Sequence, residues 1–170
     1  MDSRLIRVTT TLLRFVLAAW IGAAVLYVIT SVAEQTSDHF DSRIRDQLAA
    51  LRFPLYYTFG FVMHAVALLC AAVIAFVDRS HRVRFGIVSG LVVVSLVGIT
   101  LDYLLVFQPL LELITPAGQA RTQEFVRLHN LSRYANQTHI TIMMVAGVVA
   151  AWPLTSRSVT NAARGTSDGP

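Results

Sequence analysis

The sequence lacks most of what a water-soluble domain contains. Of its 170 residues only 14% are charged and 55% are hydrophobic, whereas soluble domains carry about 25% charged residues. It has no lysine, and its one cysteine, Cys70, excludes an internal disulfide and a multi-cysteine metal site. Neither a G-x-S-x-G motif nor a phosphate-binding loop occurs. We therefore identify no catalytic residue and do not expect an enzyme.

Four continuous apolar stretches are each long enough to cross a bilayer as a helix, which takes about 20 residues. They cover residues 11–33, 53–77, 85–107 and 131–152. Membrane barrels show shorter, alternating segments, so the sequence predicts an all-α, four-helix transmembrane bundle over residues 1–154. The polar tail 155–170 is expected to be disordered. The first stretch also resembles a signal peptide, but its length favours a retained helix.

The arginines indicate the orientation of the bundle. Eight of the 14 lie in the N-terminal segment, the 78–84 loop and the C-terminal tail, and six lie in the other two loops. Basic residues concentrate on the cytoplasmic side, so we expect both termini in the cytoplasm of a multi-pass protein of a bacterial inner or plasma membrane. Because the arginines flank apolar runs, the expected partner is the lipid bilayer and not nucleic acid. A second copy or another membrane protein is a further candidate partner.

The connections also carry patterns. Between residues 34 and 52, four apolar side chains recur at helical spacing, which predicts a short amphipathic helix on the membrane surface; they are Phe40, Ile44, Leu48 and Leu51. The third helix is expected to continue past Pro109 to Ile114 as a kinked helix. A breaker follows at 115–118, and the helical pattern resumes at Gln119.

Polar side chains within the apolar stretches are expected to form one cluster in the outer half of the bundle, because such groups avoid lipid. The members are Asp102, Arg133, Asn136, His139, His64, Tyr57 and Tyr27. We expect an ion pair of Asp102 with Arg133 or His139 that fixes the third and fourth helices. The alternative is a proton or cation site built on the same carboxylate. Separately, Gly86 and Gly90 form a GxxxG pattern suited to close helix packing.

The histidines raise the question of haem or metal. His64, His129 and His139 could supply imidazole ligands from facing helices, but no HxxxH pair or Cys-His cluster occurs. We therefore expect no metal site and no cofactor. The simpler interpretation makes His64 a core histidine bonded to a neighbouring helix and His129 a capping or interfacial group.

Several short segments together resemble a known family. They are Trp20-Ile21-Gly22, Phe53-Pro54-Leu55-Tyr56-Tyr57 followed by Gly60, the run 103–109, and a motif made of Phe125, Arg127, His129, Ser132 and Asn136. The arrangement resembles the domain-of-unknown-function family 4149, which is similar to transmembrane protein 205. Asn130 stands where glycine commonly follows the motif histidine. The resemblance implies a four-helix membrane fold and implies no activity.

Three functions from different classes remain open from the sequence. The first is a non-enzymatic accessory, scaffold or stress-related membrane factor, acting through an oligomer that the Gly86 and Gly90 face would support. The second is a small transporter or proton-coupled element that uses Asp102, Arg133 and His64. The third is a haem- or metal-binding redox protein.

Overall fold

A computed structural model describes residues 3–153, and these residues contain helices and no strand. The tail 155–170 lies outside the described residues. The helices are α1 (Ser3–Thr36), α2 (Ser42–Val77), α3 (Arg82–Asp102), α4 (Gln108–Leu113) and α5 (Gln123–Ala151). A π-helical turn, Tyr103–Phe107, joins α3 to α4 without a break, so the chain forms four rods. The predicted helical bundle is confirmed at this level.

The rods pack in a ring, α1 against α2, α2 against α3, α3 against α5 and α5 against α1. Short connections make successive rods antiparallel, the up-down-up-down arrangement of four-helix bundles. We call the end that carries the 37–41 and 114–122 connections the distal end. The opposite end, with the 78–81 connection, is the terminal end.

The first connection differs from the prediction. Asp41 caps α2 by accepting a hydrogen bond from the Ile44 backbone N–H at 2.8 Å, and α2 then runs unbroken through Pro54 to Val77. The prediction of a separate interfacial helix is therefore wrong. No glycine lies between Asp41 and the second apolar stretch, and the one proline, Pro54, lies inside α2 without ending it. The first part of α2 nevertheless exposes the apolar side chains of Ile44 and Leu51, as a surface that faces lipid requires.

The third rod continues past Pro109 to Leu113, as predicted. Proline lacks an N–H, and its ring clashes with the carbonyl four residues earlier in an α-helix. The preceding turn widens accordingly, with the N–H of Gln108 bonded to the carbonyl of Tyr103. The breaker at 115–118 is confirmed by Gly118, whose φ of 91° is positive. The helix expected from Gln119 begins only at Gln123, where Thr122 caps it.

The bundle has an apolar exterior as well as an apolar core. Trp20, Tyr57 and Phe85 are fully buried between the helices, whereas large side chains such as Phe15 and Phe76 are exposed. Within residues 3–153, three rods are long and apolar enough to cross a membrane: Arg4–Thr36, Ser42–Val77 and Arg82–Leu113. The hydropathy of α5 does not reach the same level, so the fourth span stays a prediction.

The polar first half of α5 explains this difference. Ser132 and His139 face the interior and are buried, while Asn136 is bonded to a tyrosine of α2. Polar side chains that face a bundle interior lower the hydropathy of a helix without facing lipid. Hydropathy alone therefore does not describe the lipid-facing side of α5.

Arginines of two other rods bind the C-terminal end of α5. Arg14 Nε donates to the carbonyl of Ala150 at 2.9 Å, and Arg84 Nε donates to that of Val149 at 2.8 Å. The last carbonyls of a helix lack intrahelical partners and carry partial negative charge. The two arginines satisfy these carbonyls and join the rods at the terminal end.

Close helix packing occurs at other glycines than those predicted. A Cβ atom built on Gly86 or Gly90 would meet no atom within 4 Å, so their face is open and packs no helix within the described residues. On Gly98 a Cβ would lie 2.6 Å from His139 Cε1, and on Gly60 it would lie 2.8 Å from Trp20 Cη2. The GxxxG pattern identifies small residues on one helix face but does not show whether that face is turned towards the bundle.

We expect Gly98→Ala to destabilise the bundle by about 1–3 kcal/mol, because the added methyl group must displace the His139 ring in a packed core. Gly90→Ala, on the open side of the same helix, should change stability by less than that or raise it through helix propensity. Thermal or denaturant unfolding in detergent measures both. Equal effects of the two substitutions would contradict the close approach of α3 and α5.

Candidate functional site

The candidate site begins with a buried carboxylate. Asp102, at the end of α3, is 3% exposed, and its Oδ2 accepts a hydrogen bond from the Tyr57 hydroxyl of α2 at 2.6 Å. The expected ion pair with Arg133 or His139 is wrong within residues 3–153, where neither residue pairs with Asp102. Arg133 is exposed on α5. Asp102 faces the aromatic side of α2 instead, a direction that depth along the helix could not reveal.

Some polar atoms at and near the Tyr57–Asp102 bond have no hydrogen-bond partner in the described part of the chain. They include Asp102 Oδ1 and both ring nitrogens of His139, which is 4% exposed. The His139 ring lies against Gly98, and Asp102 is one helical turn further along that face of α3, a rise of about 5 Å. Buried polar groups are normally satisfied. Trp20 Nε1, Tyr27 Oη and Ser31 Oγ also lack partners in the described residues, but Asp102 and His139 are the titratable pair among them on the α3–α5 side.

His64 is fully satisfied. Its Nδ1 lies 2.7 Å from the Gly60 carbonyl and its Nε2 lies 2.8 Å from Ser95 Oγ on α3. A carbonyl only accepts, so Nδ1 must carry a proton, and in the neutral ring Nε2 then accepts from the serine hydroxyl. The Trp20 ring contacts the imidazole edge-on at 5.3 Å between centroids. His64 is thus a core histidine that joins α2 to α3.

A third bond joins α2 to α5. The Tyr56 hydroxyl donates to Asn136 Oδ1 at 2.9 Å, and the Tyr27 ring stacks on Tyr56 with centroids 4.4 Å apart. The sequence identified Tyr27 and Asn136 but missed Tyr56. Tyr56 belongs to the same aromatic run as Tyr57, so that run was the sequence signal that could have identified it.

The distal end is held by ion pairs, and the sequence missed the most buried of them. Asp46, 2% exposed, pairs with Arg121 and accepts from the Gly118 N–H at 2.9 Å. Arg52 Nη1 donates to Glu34 Oε1 at 2.6 Å. Asp46 joins the start of α2 to the connection before α5, so it positions the polar half of α5.

The motif residues of α5 separate onto different sides. Arg127 is exposed and pairs with Glu124, whose pKa this hydrogen bond lowers. Phe125 stacks on His129, with centroids 5.7 Å apart. His129 precedes the fourth apolar stretch, and its pKa is lowered by burial and then by the nearby Arg133. Arg127 therefore lies apart from the rest of the motif, whereas His129, Ser132 and Asn136 line the groove between α1 and α5 that is described below.

The histidines do not assemble into a metal centre. Among residues 3–153 there is no group of three or more His, Cys, Asp or Glu side chains that could hold a metal ion. Both nitrogens of His64 are already engaged. A haem or metal role would require His64 to give up one of these hydrogen bonds, because an imidazole binds a metal through one ring nitrogen.

A groove of about 590 Å³ runs between the second half of α1 and the first half of α5. Its lining is apolar towards mid-bundle and polar towards the distal end. The lining residues are Val25, Val28, Ile29, Ser31, Val32, Gln35, Thr36, Phe53, His129, Ser132, Arg133, Asn136, Gln137 and Ile140. The groove is lined by four members of the predicted cluster or motif, His129, Ser132, Arg133 and Asn136, but not by Asp102.

A double-mutant cycle of Tyr57→Phe and Asp102→Asn should give a coupling energy of about 0.5–2 kcal/mol, because the two side chains share a buried hydrogen bond. The cycle of Asp102→Asn with Arg133→Gln should be additive within about 0.5 kcal/mol. Unfolding in detergent provides both values. A larger coupling of Asp102 to Arg133 than to Tyr57 would contradict this geometry.

Comparison with known proteins adds no relative. No protein-family model, no curated protein and no solved structure matches the chain. The resemblance to family 4149 is thus neither supported nor contradicted by these comparisons. Function must be argued from the bundle, its buried polar bonds and its groove.

Proposed function

We propose that the chain is an integral membrane protein that crosses a bilayer four times and serves as a non-enzymatic accessory or scaffold component. The observation that carries this proposal is the exposed shell of large apolar side chains around an interior that holds the polar ones. Soluble proteins rarely expose large contiguous apolar surfaces. In a bilayer this surface faces lipid, and α5 completes the bundle as the fourth crossing.

The interior hydrogen bonds favour a structural role. Tyr57–Asp102 and His64–Ser95 join α2 to α3, and Tyr56–Asn136 joins α2 to α5. Interhelical hydrogen bonds help to hold membrane bundles together, where packing gains little from hydrophobicity. Groups that are bonded to one another in this way support a bundle that presents a fixed surface to partners.

The orientation and the partners are part of the same proposal. Arginines concentrate at the terminal end, so we place both termini in the cytoplasm of a bacterial inner or plasma membrane. The open face of Gly86 and Gly90 on α3 suits close approach by a second copy or another membrane protein. A stress-related role through such a complex, and membership of family 4149, remain within this proposal.

Cysteine labelling tests the crossing and its direction. In a Cys70→Ala background, Gln119→Cys at the distal end should react with an impermeant maleimide on intact cells. Ser80→Cys at the terminal end should react only after permeabilisation, because the bilayer separates the two loops. Labelled protein is measured by gel shift.

Both cysteines are expected to be exposed, since Gln119 and Ser80 are exposed in the structure, so each serves as the accessibility control for the other. Labelling of Ser80→Cys alone from outside would invert the orientation. Equal labelling of both on intact cells, with extraction by alkaline carbonate, would overturn the membrane proposal.

A second function is favoured by one observation. Asp102 Oδ1 and the His139 nitrogens are buried without partners in residues 3–153, and intramembrane acids often mark ion or proton paths. The alternative proposal is therefore a small transporter or proton-coupled element with Asp102 and His139 in the pathway. The sequence also placed His64 and Arg133 in this pathway. In the structure His64 is hydrogen-bonded in the core, and Arg133 lines the groove between α1 and α5.

Liposome flux separates the two functions. As an accessory protein, the reconstituted chain should give proton and cation flux no higher than empty liposomes, and Asp102→Asn should leave it unchanged. A pH-sensitive dye inside the vesicles follows proton entry. Flux that depends on the protein and falls about tenfold or more in Asp102→Asn, while Tyr103→Phe retains it, would replace the accessory role with transport.

A further inference from the structure

We propose that the groove between α1 and α5 binds one anionic phospholipid of the surrounding bilayer, with its phosphate on Arg133 and an acyl chain along the apolar part. The inference goes beyond the accessory role and rests on the membrane placement proposed above. It assigns a ligand class to a groove that is lined by neither Asp102 nor His139.

The lining has the polarity of a lipid from tail to head. Because α1 and α5 are antiparallel, Val25 and Ile29 lie level with Ile140 towards mid-bundle. Gln35 and Thr36 of α1 lie level with His129 and Arg133 of α5 at the distal end. The apolar part therefore lies at bilayer depth, and the polar part lies where lipid headgroups begin.

The charge of the groove is not balanced by its own lining. Arg133 is the one lining residue with a permanent charge. The nearest acidic residues along the chain are engaged elsewhere, Glu34 with Arg52 and Glu124 with Arg127. A guanidinium binds phosphate oxygens through two parallel hydrogen bonds. His129 adds a second side chain that can donate to the same phosphate.

The dimensions of the groove suit an acyl chain. The volume lies within the roughly 300–1,000 Å³ typical of small-molecule sites. Along α1 the groove extends from Val25 to Thr36, about 16 Å at the helical rise. An extended acyl chain fits a groove of this length and volume.

The test is lipid competition in nanodiscs. The full chain is placed in equal mixtures of dioleoyl phosphatidylglycerol and dioleoyl phosphatidylcholine, and the lipid retained after transfer to detergent is measured by native mass spectrometry. Both lipids offer a phosphate to Arg133, but only phosphatidylcholine brings a positive quaternary ammonium beside the guanidinium. The wild type should therefore retain the anionic lipid about tenfold over the zwitterionic one, because like charges this close repel by that much or more. Arg133→Gln should bring the ratio close to one.

Matched variants separate the groove from general charge and folding effects. Arg127→Gln removes the same charge two turns away from Arg133. Because Arg127 already has a partner, this variant should keep the wild-type ratio. Ile29→Trp fills the apolar part and should reduce retention of both lipids several-fold. Leu26→Trp, exposed on α1 outside the groove, should not.

Distinct results would overturn the inference. An equal lipid ratio in the wild type, or the same loss in Arg127→Gln as in Arg133→Gln, would exclude a specific headgroup site. Displacement of the lipid by inorganic phosphate alone would assign the arginine to a soluble anion. Disulfide-linked dimers of Ile29→Cys in a Cys70→Ala background would assign the groove to a second copy. Any of these in a chain that passes the labelling test defeats this inference and leaves the proposed function intact.

Discussion

The exclusion of water from the bundle interior is the constraint on which the other features depend. A buried hydroxyl, imidazole or carboxylate without a partner costs several kcal/mol in an apolar medium. His64 with Ser95 meets this requirement across the α2–α3 interface, and Tyr57 meets it for one of the two Asp102 carboxylate oxygens. Each bond also fixes the rotation of one helix against the next, because a shift by one residue would turn a partner about 100° away. Specific polar pairs therefore set the register that a uniformly apolar interface would leave open.

Periodicity and length predicted the rods because both are properties of one helix at a time. The apolar stretches, the breaker at 115–118 and the continuation past Pro109 follow from local rules. The pairing of side chains does not. Asp102 and Arg133 occur at similar depths on neighbouring helices, but depth fixes only one of the coordinates needed for contact. The prediction of close packing at Gly86 and Gly90 was wrong for the same reason. Their spacing places them on one face of the helix without showing that this face points outward.

Arginine has two roles in this chain, and the sequence reveals only one. Its distribution along the chain indicates orientation. In the structure, Arg14 and Arg84 also bind the C-terminal carbonyls of α5, and Arg121 neutralises the buried Asp46. These contacts join segments that are distant in sequence, so no local sequence pattern predicts them. Asp46 lies between residues 34 and 52, which the sequence assigns to a connection, and its partners Gly118 and Arg121 come from the 114–122 connection.

The two unusual polar features of the bundle differ in how they are exposed, and this difference decides their roles. His139 and Asp102 are almost fully buried, and the ring of His139 fills the space left by Gly98, so a ligand would have to displace packed side chains. Arg133 is exposed beside a groove that already has volume. Pre-formed space lowers the cost of ordering a ligand. The groove is therefore the better candidate for binding, and the buried pair is the better candidate for tuning the α3–α5 contact.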